Sequence, residues 1–167
     1  MENDKTGEKI EVSRFIVMGK EELKADNLNA TSVINDIKKI HKSKEDCEFL
    51  IKMMLDSILV FDSNKGVKSE LKKLMKDLSE YLYEKIRETY MYINLLQVKV
   101  RLGENISDYF EELKKIKEEE KENSQILTAC YILLGNYKEA KKIIKRMNKE
   151  DALKFKQFPI YNLIKLK

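Results

Sequence analysis

Proline occurs once in this chain of 167 residues, at Pro159, and glycine only five times. A turn-rich sheet protein needs more of both, so the scarcity favours long helices. Histidine also occurs once, at His41, flanked by lysines. One imidazole builds no zinc site without cysteine or carboxylate company, and a solvated turn residue is its expected role. The two cysteines, Cys47 and Cys130, stand 83 residues apart with no C-x-x-C spacing. Each lies in an apolar helical run, where a free thiol acts as a small buried hydrophobe. A disulfide framework is excluded, and reduced cysteines in a cytoplasmic protein are expected. No run approaches the roughly 18 apolar residues of a membrane span. The start, MENDKTGEK, is polar and partly acidic, and the apolar patch 15–18 is too short for a signal peptide.

Chemistry-bearing motifs are missing as well. No G-x-G-x-x-G, G-x-x-x-x-G-K-[ST] or G-x-S-x-G is present, so neither a phosphate loop nor a nucleophile elbow is indicated. Glu111 and Glu112 lie on a lysine-interleaved helix, the pattern of a solvated face. We assign no catalytic residue, no metal ligand and no cofactor, and expect a protein that is not an enzyme.

A hydrophobic fraction of 43% and this length are enough to bury a core in one domain. Charge nearly cancels, to +4, but unevenly: residues 136–167 carry +7 and the remainder −3. Of 33 basic residues only Arg14, Arg87, Arg101 and Arg146 are arginine. Phosphate and base-edge recognition favours the forked guanidinium, so a lysine-dominated surface argues for a protein partner ahead of nucleic acid.

Three glycines order the chain. Gly66, Gly103 and Gly135 each follow an apolar stretch and precede an amphipathic one, at spacings of 37 and 32 residues. Those spacings suit stacked helical hairpins. Residues 1–9 are expected to be a disordered tail, and 10–28 an N-terminal cap. From Asn29, the residues Val33, Ile34, Ile37 and Ile40 fall at helical spacing behind the cap candidates Thr31 and Ser32. A break at 41–44, with Ser43 as N-cap, leads into a run from Cys47 to Phe61 that is apolar almost all round. After Gly66 a single stripe follows, Val67, Leu71, Leu74, Met75, Leu78 and Leu82, with lysines opposite. The alternation repeats. Residues 90–102 and 125–134 are apolar nearly throughout. The segments 108–121 and 137–147 carry single stripes, Tyr109, Phe110, Leu113, Ile116 and Tyr137, Ala140, Ile143, Ile144, Met147. Buried helices alternating with outer ones make a two-layered array. Between Leu82 and Tyr90 only Thr89 offers a cap. One helix over 67–102, about 54 Å long, within an irregular helical bundle is therefore the alternative fold.

The segment LLGNYKEAKKIIKRM carries G-x-Y-x-x-A at Gly135, Tyr137 and Ala140, with Leu127, Thr128 and Tyr131 before the glycine and Ile144 and Met147 after it. Over about residues 121–154 this resembles a tetratricopeptide repeat (TPR). The second unit keeps Leu95, Leu96, Leu102 and Gly103 but has Lys99 in place of the aromatic, and a longer turn. The resemblance implies an all-α fold of helical hairpins stacked as a short right-handed α-solenoid, a single helical repeat domain over 10–167 with a capping segment at 149–167. It further implies a groove of inner helices facing a partner with Tyr90, Ile93, Gln97, Arg101, Gln125, Ala129 and Leu133. The lysines and asparagines that clamp a C-terminal carboxylate in one subfamily are absent here, so that activity is not implied.

The tail ALKFKQFPIYNLIKLK is dense in apolar residues interleaved with lysines. Its expected role is to close the last hairpin. Docking into a partner, homodimerisation, or a membrane-surface contact are the other readings. Together these features point to a scaffold that binds a protein partner. The alternative is a helical nucleic-acid-associated regulator using the basic C-terminal surface. On the groove reading, Arg101→Glu removes a partner without lowering stability.

Overall fold

The computed structural model describes residues 18–40, 47–63 and 69–165, and these are helical with no strand among them. The expected tail 1–9, the start of the 10–28 segment, His41, Ser43 and the Gly66 turn lie outside the described residues. The chain divides into two compact units on either side of Arg87 and Glu88, where the sequence suggests one continuous repeat domain.

The first unit holds α1 (Lys20–Lys24), α2 (Ala30–Ile40), α3 (Cys47–Ser63) and α4 (Ser69–Lys85). α3 packs on α1 and α4, and α2 packs on α4. The nearly all-apolar surface of α3 explains this: Leu50, Met53, Met54, Ile58 and Val60 are all buried, though Phe49 stays exposed. α4 buries one stripe, Leu71, Leu74, Met75, Leu78 and Leu82, and leaves Lys72, Lys73 and Lys76 in solvent. The cap of α2 differs from expectation. Asn29 Oδ1 accepts from the Ser32 amide at 2.9 Å, one residue pair ahead of the candidates Thr31 and Ser32. Glu70 of α4 accepts from the Ala30 amide at 2.7 Å, placing a carboxylate on a helix N-terminus.

α4 ends at Lys85 and the next helix, α5 (Thr89–Arg101), begins only after residues 86–88, so a single helix over 67–102 is not formed. No proline or glycine makes this break. Glu88 is extended (φ −101°, ψ 155°), and Ile86, 3% exposed, is held in the core as the helix stops.

The second unit continues with a 3-10 turn at Ser107–Tyr109, α6 (Phe110–Glu119), α7 (Ser124–Leu133), α8 (Tyr137–Arg146) and α9 (Lys149–Gln157). A 3-10 turn at Pro159–Tyr161 and α10 (Asn162–Lys165) complete it. α7 lies at its centre, against α5, α6, α8 and the Pro159–Tyr161 turn. That position follows from composition, since Thr128, Ala129, Cys130, Ile132 and Leu133 are buried on several sides of one short helix. Asn123 caps it by accepting from the Ile126 amide at 3.2 Å. α6 and α8 each contribute a stripe, Leu113 and Ile116 from one, Ala140 and Ile144 from the other.

α5 and α7 end alike. Gly103 (φ 78°) and Gly135 (φ 80°) are left-handed. In each case the glycine amide bonds back three residues, to Val100 and Ile132. The next amide bonds back five, from Glu104 to Lys99 and from Asn136 to Tyr131. Both are Schellman caps, set 32 residues apart in the sequence. A Cβ at either position meets nothing within 4 Å, so the cost of a side chain is conformational only. Gly103→Ala and Gly135→Ala are each expected to destabilise by about 1 kcal/mol, net of the stiffer unfolded chain. The urea midpoint reads the change, and an unchanged midpoint would contradict the left-handed caps.

Candidate protein-interaction face

Along α5 three polar residues, Asn94, Gln97 and Arg101, follow one another at i+3 and i+4 and share a side of a largely apolar helix, whose other charged residue, Lys99, pairs with Glu104 at 3.3 Å. Gln97 is 1% exposed. Its amide nitrogen donates to Asn94 Oδ1 at 2.7 Å, and its Oε1 accepts from the Arg101 guanidinium at 2.9 Å. The other end of that guanidinium donates to the Pro159 carbonyl at 2.8 Å, joining residues 58 apart in the chain. Within the described residues no buried side-chain nitrogen or oxygen lacks a partner, so this network is satisfied.

The C-terminal segment lies over the same region. Phe155, Ile160, Leu163 and Ile164 are buried in one cluster with Ile93 and Leu96 of α5 and Ala129, Ile132 and Leu133 of α7. Phe155 makes edge contacts with Phe158 and Tyr161 at centroid distances of 6.3 and 6.4 Å. Phe158 and Leu153 remain exposed.

The seven residues expected to face a groove therefore divide. Ile93, Gln97, Ala129 and Leu133 are covered by the chain's own residues, at 5%, 1%, 4% and 5% exposure. Tyr90, in the first turn of α5, is 40% exposed. Gln125, in the first turn of α7, and Arg101, at the end of α5, are half-buried. Asn94 and Pro159 belong to the polar network and were not among the seven. The i, i+3, i+7 polar spacing on an apolar helix was the available signal for Asn94. Nothing in the sequence announces the role of a backbone carbonyl at Pro159.

Both cysteines are free and buried. Burial pushes the Cys130 thiol up to about 11, with Lys117 pulling weakly the other way and Glu120 adding to the rise. The folded state thus holds the proton more tightly than the unfolded chain, whose thiol titrates near 9.0. The stability from this group is complete below that pH and is lost as pH climbs toward 11, by about 2–3 kcal/mol. Comparing the wild type with Cys130→Ala across that window should show a shallower fall for the variant. Parallel curves would contradict it.

Among the described residues no group of three histidine, cysteine or carboxylate side chains is placed to hold a metal ion, and no helix is long and apolar enough to cross a membrane. No family model, curated protein or solved structure matches the chain.

Proposed function

We propose that this chain is a non-enzymatic protein-interaction or assembly module whose second unit is tetratricopeptide-like, with α7 and α8 as its helical hairpin and α5 and α6 each packed against α7. The observation that carries this reading is the pair of matched Schellman caps at Gly103 and Gly135, each ending an apolar helix and opening onto an amphipathic one. The packing of α7 on the helix two before it, the helix before it and the helix after it supports a stacked arrangement.

On this reading the partner meets the exposed Tyr90 and the half-buried Gln125, while Ile93, Gln97, Ala129 and Leu133 are covered by the chain itself and Arg101 links α5 to the closing segment. A 40%-exposed tyrosine on a rigid helix is the kind of side chain that dominates an interface. The test is affinity capture with the tagged full chain and with Tyr90→Glu. A defined protein partner held by the wild type and lost by the variant, at an unchanged melting temperature, is the expected result. Capture that ignores the substitution removes this face from the proposal.

A further inference from the structure

The outward positions of α8 are given almost entirely to cations. Lys138, Lys141, Lys142, Lys145 and Arg146 are exposed, while Ala140 and Ile144 on the other side are buried. Among the described residues only Lys142 of the five has an ion pair, to Glu139 at 3.1 Å. α6 is built differently. There Lys114 pairs with Glu111 at 3.2 Å and Lys115 with Glu119 at 3.9 Å, so charge is neutralised in place. Like charges three and four residues apart repel along a helix, and α8 carries two such pairs without an ion-paired member, Lys138 with Lys141 and Lys141 with Lys145. An arrangement unfavourable to the helix itself is what a surface awaiting opposite charge looks like.

The identity of the cations narrows the ligand. Four of the five are lysine, a compact point charge that lacks the bidentate fork suited to phosphate. No aromatic residue stands among these exposed positions to stack a base. Lys138, Lys141 and Lys145 fall at steps of three and four residues, about 5–6 Å along the axis, which is also the spacing of carboxylates at i, i+3 or i+4 on a partner helix. We propose that the outward face of α8 docks an acidic helical segment of a partner protein, its carboxylates set against Lys138, Lys141 and Lys145. This rests on the interaction-module reading and gives it a partner chemistry, on a surface separate from Tyr90.

The test uses full-length protein and two fluorescein-labelled probes, a peptide of roughly sixteen residues with glutamates at i, i+4 spacing and a single-stranded RNA of similar length. Lys138→Glu, Lys141→Glu and Lys145→Glu together should weaken peptide binding by about tenfold or more, and raising salt from about 50 to 300 mM should do the same. Reversing the same number of charges at Lys72, Lys76 and Lys114 has the same effect on net charge and should change affinity by less than about twofold. The corresponding glutamine triple on α8 repeats the measurement with a milder change, should the glutamate variant misfold. Equal weakening by both sets of reversals, absence of saturable peptide binding, or RNA binding tighter than the peptide and abolished by the α8 triple would each overturn the proposal. Tyr90-dependent capture by a protein that ignores the acidic peptide also overturns it and leaves the module reading in place. Peptide binding with no Tyr90-dependent capture does the reverse.

Discussion

Phe155→Ala should lower the stability of the second unit by about 3–5 kcal/mol. Phe155 is 1% exposed and heads the set of large, fully enclosed side chains. It is enclosed by Phe158 and Tyr161 at edge-on angles of 88° and 76°. Truncation to alanine removes the transfer free energy of a benzyl group and leaves a cavity that two rings and several aliphatic residues cannot collapse into. Phe158 is the control. It is 39% exposed, and Phe158→Ala should cost under about 1 kcal/mol. Urea unfolding measures both. A Phe155 variant within about 1 kcal/mol of wild type would show that residues 149–165 do not close the core of this unit.

Arg101→Ala carries the second large effect, about 3 kcal/mol. The guanidinium serves Gln97 Oε1 at 2.9 Å, the Gln97 carbonyl at 3.2 Å and the Pro159 carbonyl at 2.8 Å. Its loss leaves a deeply buried glutamine and a carbonyl beside buried Pro159 short of a donor. Arg101→Lys should recover less than half of the loss, because a single ammonium cannot span acceptors that the planar fork reaches at both ends. Full recovery by lysine would mean that charge alone matters at this position. On the groove pattern alone, Arg101→Glu removes a partner with stability unchanged. Where the guanidinium now donates to three oxygen acceptors, that substitution supplies a carboxylate with no donor and is expected to destabilise, which makes Tyr90 the cleaner probe of binding.

Local rules explain what was legible. Gly103 and Gly135 could be read as turns because only glycine enters a left-handed cap without strain, and α3 and α7 could be read as buried because apolar residues cover nearly all of each, with a narrow strip of Glu48, Lys52 and Asp56 on α3. The single stripe on α4 located five of its buried residues, Leu71, Leu74, Met75, Leu78 and Leu82, but not Ser79 and Tyr81, which are buried beside them. What was not legible depended on partners distant in the chain. The stop between α4 and α5 carries no proline or glycine, and Thr89 is the one cap candidate beside it, so the turn chemistry that marks the glycine breaks is missing there. The burial of Gln97 depends on Arg101, and the placing of Arg101 depends on a carbonyl at Pro159 far along the chain. A family pattern could place these residues on one helix side, but whether solvent or the chain's own C-terminal segment covers that side is decided by tertiary contact. At α2 the shortfall was smaller. Asn29 took the cap in preference to Thr31 or Ser32, because its short side chain reaches the amide three residues on.

The most direct measurement is hydrogen exchange of the full chain, free and bound to the partner recovered by capture. The account predicts new protection at residues 89–94 and 124–127, the first turns that carry Tyr90 and Gln125, while the amides at the centre of α7 are the slowest to exchange in either state. Protection appearing only within residues 20–85, or none at all on binding, would contradict it.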